Sequence, residues 1–203
     1  MSSTEIPAPR RRLSREDRLR QLLEMAWQLV RKEGTEALTL GRLADMAGVT
    51  KPVVYDHFTT RAGLLAALYK DFDDRQNALL EAALEASEPS LEGRARVIAS
   101  SYVDCVQLQG REIPGVIAAL SGAPELDALK REYEMIFMLK CRDVLAPFAL
   151  SSDITLASLR AMLGAAEALS HAAASGEINP VQAQEELFQT IKSMVNRGAG
   201  LKN

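Results

Sequence analysis

At 203 residues, 47% of them hydrophobic and 25% charged, the chain has the make-up of one or two compact soluble domains with a sizeable core. Two cysteines far apart in sequence, Cys105 and Cys141, exclude a disulfide framework and a CxxC pair. No apolar run is long enough to span a membrane, and Arg10-Arg11-Arg12 leads into Leu13-Ser14-Arg15, which is neither a secretory nor a twin-arginine signal. The expectation is a cytoplasmic protein.

Aromatic residues make up only 5% of the chain, Ala and Leu are abundant, and the alternation that strands need is absent over long stretches. An all-α protein is expected. The net charge of −3 is unevenly spread. Residues 1–61 carry 11 Lys+Arg against 8 Asp+Glu, and the remainder carries 13 against 19. A basic head on an acidic body suits a chain that meets phosphate at one end only, although ordinary surface charge gives the same pattern.

Residues 1–13 lack periodicity and are expected to form a flexible basic arm. A first helix then starts at Ser14 as N-cap, with Glu16 and Asp17 in its first turn. Leu19, Leu22, Leu23, Ala26, Trp27 and Val30 form its apolar face, and Gly34 ends it. Thr39 caps a short helix that runs to about Ala47, and Gly48-Val49 makes a turn. Thr50 caps another short helix, with Lys51 and Pro52 in its first turn, ending near Phe58. Thr60 caps a long helix from Arg61 to about Ala86. Further helices are expected at about 91–109, 113–121, 124–147, 153–175 and 180–197, punctuated by Gly110, Gly122-Ala123-Pro124, Pro147, Ser151-Ser152 and Gly176, with Asn179-Pro180 opening the last.

The informative segment runs from Leu38 to Phe58. Ala44 is small where two helices cross closely, and Gly48 allows the positive φ of a tight inter-helix turn. Leu43, Ala47, Val49, Val54 and Phe58 face inward and lock the second helix on the first. These are the demands of a helix-turn-helix, whose second helix enters the major groove of DNA. Thr50 is an N-cap whose hydroxyl or N–H also suits a phosphate. Lys51, Pro52 and Val53 open the outward start of the recognition helix, and an exposed Val53 suits a thymine methyl. Arg42 is placed to reach phosphate or a base from the first helix of the motif. Asp56 repels phosphate, so it points away or accepts from a cytosine amino group.

The pattern Thr39, Leu43-Ala44, Ala47-Gly48-Val49-Thr50, Val54-Tyr55 and His57-Phe58, with the basic Arg61 opening the next helix, resembles the TetR family of bacterial regulators. The resemblance covers roughly residues 14–68; Gly63 departs from the acidic residue common near that position. It implies that Tyr55 and His57 meet backbone phosphate. It also implies a homodimer on a palindromic operator of double-stranded DNA, repression as the default and release by a small, largely apolar effector. The domains expected are the arm 1–13, a helix-turn-helix domain 14–62 and a helical effector-binding and dimerisation domain 63–203. The DNA-facing candidates are Arg10, Arg11, Arg12, Thr39, Arg42, Thr50, Lys51, Pro52, Val53, Tyr55, His57 and Arg61. For the three arginines two readings stand: a solubilising tail, or an arm in an adjacent minor groove.

Met135-Ile136-Phe137-Met138-Leu139 is apolar on every side, as in a helix buried all round or lining a cavity. The effector-pocket candidates are Tyr102, Cys105, Val106, Ile117, Leu120, Tyr133, Phe137, Cys141, Leu163 and Glu167, with plain core packing as the alternative for each. The helix near 153–175 is rich in small residues, from Ala157 and Ala161 through Gly164 to Ala174. With Leu187, Phe188, Ile191, Met194 and Val195 of the last helix it suits a four-helix dimer interface. Glu167 and His171, at i and i+4, are placed to pair.

With two histidines and no HExxH, glycine-rich phosphate loop or Ser-His-Asp set in context, an enzyme is not expected, nor any cofactor or metal. The alternatives kept are a redox-sensing regulator working through Cys105 and Cys141, and a helical interaction module that no longer binds DNA.

Overall fold

The computed structural model describes residues 13–108, 112–121, 124–149 and 154–197, and every element among them is helical. In chain order these are α1 (Arg15–Glu33), a 3-10 turn (Thr35–Ala37), α2 (Leu40–Ala47), α3 (Lys51–Phe58), α4 (Arg61–Ala86), α5 (Leu91–Leu108), α6 (Glu112–Ser121), α7 (Pro124–Leu145), a second 3-10 turn (Ala146–Phe148), α8 (Leu156–Ser175) and α9 (Pro180–Asn196). None of the described helices is long and apolar enough to cross a membrane. The described residues divide after Arg61 into two compact units.

Helix ends follow from side chains that satisfy orphan backbone groups. Ser14 Oγ accepts from the Asp17 N–H at 3.0 Å, and Thr39 Oγ1 accepts from the Arg42 N–H at 3.2 Å. Asn179 and Gln182 form a reciprocal capping box at the start of α9, with bonds of 2.8 and 3.1 Å. Thr155, not residue 153, sets the start of α8 by accepting from the Ser158 N–H. Thr50 occupies the N-cap position of α3 with extended backbone, but its side chain makes no capping bond, contrary to the sequence expectation. The residue Gly48 adopts φ 63° and ψ 37°, the left-handed conformation that joins α2 to α3 without Cβ strain.

In the first unit α1 packs on the 3-10 turn and on α2, and α2 packs on α3. Leu22, Ala26, Leu38, Leu43, Ala44 and Val54 have no accessible surface there. Each fully buried leucine contributes about 1.5–3 kcal/mol, so this small unit owes its stability to a handful of side chains. Ala47 and Val49, expected inside, are only half-buried at the turn.

In the second unit α5, α8 and α9 pack on one another, while α7 packs against α5, α6 and α8. Leu187, Phe188, Ile191, Met194 and Val195 of α9 all lie in this core, so they are not free to form a dimer surface as the sequence suggested. Their stripe was apolar because α9 needs one face for its own unit. The Met135–Leu139 run is also not buried all round: Met138 is fully enclosed, but Ile136 is 45% exposed and Leu139 36%. A helix packed on one side keeps an outer face, whatever residues occupy it.

Candidate nucleic-acid interface and effector pocket

Helix α3 is amphipathic in the literal sense. Val54 and Phe58 are buried and hold it in its unit, while Lys51, Pro52, Tyr55 and Asp56 face solvent and Val53 and His57 are half-buried. Tyr55 keeps 52% of its surface exposed, which a tyrosine retained only for packing would not do. Thr50, with its hydroxyl free of any capping duty, stands exposed at the start of the helix. Burial holds His57 below its usual pKa, with Arg15 adding to the effect, so its imidazole is neutral at pH 7. Thr39 spends an acceptor lone pair on its cap and keeps its O–H to donate.

Two arginines differ from their expected roles. Arg42 donates to Glu33 Oε1 at 2.6 Å in an exposed ion pair, so it is engaged on its own unit. Arg61 is more firmly committed. Its Nε donates to the Leu38 carbonyl and its Nη2 to the Thr35 carbonyl, both at 2.9 Å, with Glu36 at 3.8 Å. The Thr35 carbonyl opens the 3-10 turn and also accepts from the Leu38 N–H at 3.2 Å, and the Leu38 carbonyl follows the turn, so Arg61 fastens the approach to α2. Asp56 lies near Arg15, whose Nη2 is 4.0 Å from its carboxylate, which answers its expected repulsion of phosphate with a cation. Arg10, Arg11 and Arg12 lie outside the described residues.

The second unit contains a cavity of about 120 Å³. Tyr102, Cys105, Val106, Ile117, Tyr133, Phe137, Leu163 and Glu167 line it, all of them named from the sequence. Cys141 does not; it is 1% exposed and packed in the core, one turn beyond Phe137 along the same face of α7. The side chain of Leu120 lies outside the described residues. Glu167 stands 3.9 Å from Lys130, and no bond joins it to His171 among the described residues, so the i, i+4 pair expected on α8 is replaced by a contact to α7.

The largest wall escaped the sequence reading. It is a stripe on α4 of Tyr69, Phe72, Asp73, Gln76, Asn77 and Leu80, at helical spacing. The signal was present as an aromatic-polar face, but charged residues alternating along α4 disguise it as a solvated helix. Lys130 and Glu134 of α7 complete the polar lining. Lys130 is 3.1 Å from Glu134, which also accepts from Arg160 at 2.7 Å. The Tyr69 and Tyr133 rings meet edge-on at 5.5 Å, and Tyr102 lies 5.5 Å from Phe137.

Burial pushes the thiols of Cys105 and Cys141 up to about 12, so both stay protonated at neutral pH. A thiol without thiolate character is a poor redox switch, which leaves the redox alternative without support. No group of three or more His, Cys, Asp or Glu is placed to hold a metal ion among the described residues.

Residues 22–76 match the family model described as bacterial regulatory proteins, tetR family. A curated relative, the HTH-type transcriptional activator FasR of Mycolicibacterium smegmatis, is 38% identical over 72 residues, 35% of this chain and 33% of that one. The chain therefore matches about a third of that relative's length. Among solved structures, a TetR-family transcriptional regulator from Streptomyces coelicolor is similar at 20% identity with a TM-score of 0.67, over 88% of this chain and 95% of the other. The TetR-like transcriptional regulator LfrR from Mycobacterium smegmatis, in complex with proflavine, is 23% identical with a TM-score of 0.62, over 89% of this chain and 98% of the other. These two likenesses establish a common fold.

Proposed function

We propose that this chain, which through residues 22–76 belongs to the tetR family of bacterial regulatory proteins, is a transcriptional regulator that binds a palindromic operator as a homodimer and responds to a small effector. The observation that carries the reading is the division of α3. Val54 and Phe58 anchor it, and Lys51, Pro52, Val53 and Tyr55 are left to meet a major groove and its flanking phosphates. Thr39, Thr50 and His57 supply further donors to the backbone. Arg42 joins them by exchanging Glu33 for a phosphate, a modest exchange because the pair is exposed.

The effector reading rests on the cavity of the second unit, with support from the proflavine complex of a protein sharing the fold. α4 carries both the first residue after the reading head and the longest wall of that cavity. A ligand that prefers one setting of α4 then alters the spacing of two recognition helices. Half-sites in successive major grooves require roughly 34–36 Å, so a small change costs affinity. A dimer is supported by the outward face of α8, where Leu156, Ala157, Ala161, Gly164 and Ala168 are exposed at helical spacing and allow close approach of a second helix. Repression, relieved by effector, is the direction proposed. Activation is the second reading, favoured by the relative named as an activator.

The test is in vitro selection on random duplex DNA followed by titration across salt. Recovery of an inverted repeat bound by two chains, with affinity falling steeply as salt rises, is the expected result. No enrichment, and no binding even at low salt, overturns the reading.

A further inference from the structure

We propose that the cavity of the second unit takes a compact organic cation, an ammonium-type head on a single-ring body, with Asp73 as its counter-ion and the tyrosine rings as its cage. This rests on the effector reading above and gives that effector a charge and a size.

The charges of the wall carry the argument. Asp73, Glu134 and Glu167 line the cavity against one cation, Lys130. Lys130 and Arg160 together answer Glu134 and Glu167. The cations nearest Asp73 are committed elsewhere: Lys70 to Asp74 at 2.6 Å, and Lys140 to Glu81 and to the Asn77 side-chain oxygen at 2.9 Å. Asp73 itself makes no ion pair among the described residues and accepts only from the Asn77 amide, at 2.7 Å. A half-buried carboxylate without a cation is a costly arrangement, and one that an incoming cation relieves.

The tyrosines point the same way. Tyr69 is 7% exposed, and neither it nor Tyr102 nor Tyr133 makes a hydrogen bond through its hydroxyl among the described residues. Tyr102 and Tyr133 are half-buried, and the three phenols border one space, offering oxygen lone pairs and ring faces to a positive group. The field in that space is negative. Burial foremost, with Asp73, Glu134 and Glu167 adding to it, pushes the Tyr69 hydroxyl far above its usual range, and burial with Asp73 raises the Cys105 thiol to about 12. A carboxylate ligand is therefore repelled. The volume of about 120 Å³ sets the size, because an engineered cavity of roughly 150 Å³ holds one benzene.

Calorimetry on the full chain with 2-phenylethylammonium, 2-phenylethanol and phenylacetate varies charge on nearly one skeleton. The cation is expected to bind at least about tenfold more tightly than the alcohol, and the anion most weakly. In Asp73→Asn the cation preference falls to within about twofold while binding of the alcohol is kept; in Glu167→Gln most of the preference survives. An alcohol or anion that binds as tightly as the cation, a preference that survives Asp73→Asn, or no binding of any of the three at millimolar concentration overturns the proposal. Operator affinity at saturating cation separates the two levels. Cation binding without change in operator affinity sinks the effector reading and leaves the cation site standing; release by the alcohol and not by the cation does the reverse.

Discussion

Asp73 is where stability meets the proposed ligand site. Burial, with Asp74 beside it, raises its carboxyl from 3.8 to about 6, against the opposing pull of Lys140, Asn77 and Lys70. Tyr69, Tyr133 and Cys105 also feel its charge. Below the ordinary value the folded and unfolded chains both hold the proton and the site costs nothing. As pH rises from about 4 through 6 the folded protein must ionise a half-buried group, and the cost is complete above that. Asp73→Asn is therefore expected to match the parent near pH 4 and to exceed it by about 1 kcal/mol at pH 8, solvent screening included. Urea unfolding at the two pH values checks this. A second contrast lies in the reading head. Lys51→Ala removes an exposed cation and is expected to reduce the salt slope of operator binding by about 1. Arg61→Ala releases the Leu38 and Thr35 carbonyls instead, so it is expected to lower stability by about 1–2 kcal/mol and leave the slope unchanged. Binding isotherms across salt distinguish the roles of Lys51 and Arg61.

Among the elements, the α2–α3 pair depends on a single backbone conformation. Gly48 sits at φ 63° with open space where a Cβ would go, so the penalty for a side chain there is conformational alone. Gly48→Ala is expected to cost about 1 kcal/mol in thermal or denaturant unfolding while leaving the second unit's melting unaltered. Thr59, a β-branched residue at φ 60°, carries comparable strain at the far end of α3, where its N–H closes the helix on the Tyr55 carbonyl at 2.9 Å. The recognition helix is thus held at both ends by left-sided backbone, one end suited to it and the other strained. By contrast α9 is held by burial, with Leu187, Ile191 and Val195 nearly or fully enclosed.

For the whole molecule, the regulator reading makes a quantitative demand. If a ligand in the second unit changes operator affinity by some factor, operator DNA must change ligand affinity by the same factor. Titrating 2-phenylethylammonium into free protein and into the protein–operator complex, and operator into free and ligand-saturated protein, is expected to return one coupling constant, of about 5- to 150-fold. Equal ligand affinity for free and DNA-bound protein removes the switch.

Much of this was legible in one dimension. Periodicity and caps located the helices to within a few residues, because Ser14, Thr39, Asn179 and the glycines at 34, 48 and 176 act on backbone groups within one turn. The resemblance in residues 38–61 gave the reading head, and the residues facing outward on α3 follow from its spacing. Longer-range choices needed the fold. Whether Arg61 meets phosphate or a carbonyl depends on where Thr35 and Leu38 are carried, 26 and 23 positions away. The inward stripe of α9 and the outer face of α7 look alike in sequence, since apolar character does not say which neighbour is present. Asp73 was hidden among the charges of α4 for the same reason. Sequence determined the helices and the kind of reading head, through interactions one turn long. Tertiary structure alone decided which charges find partners, and so left one carboxylate facing the cavity without a cation.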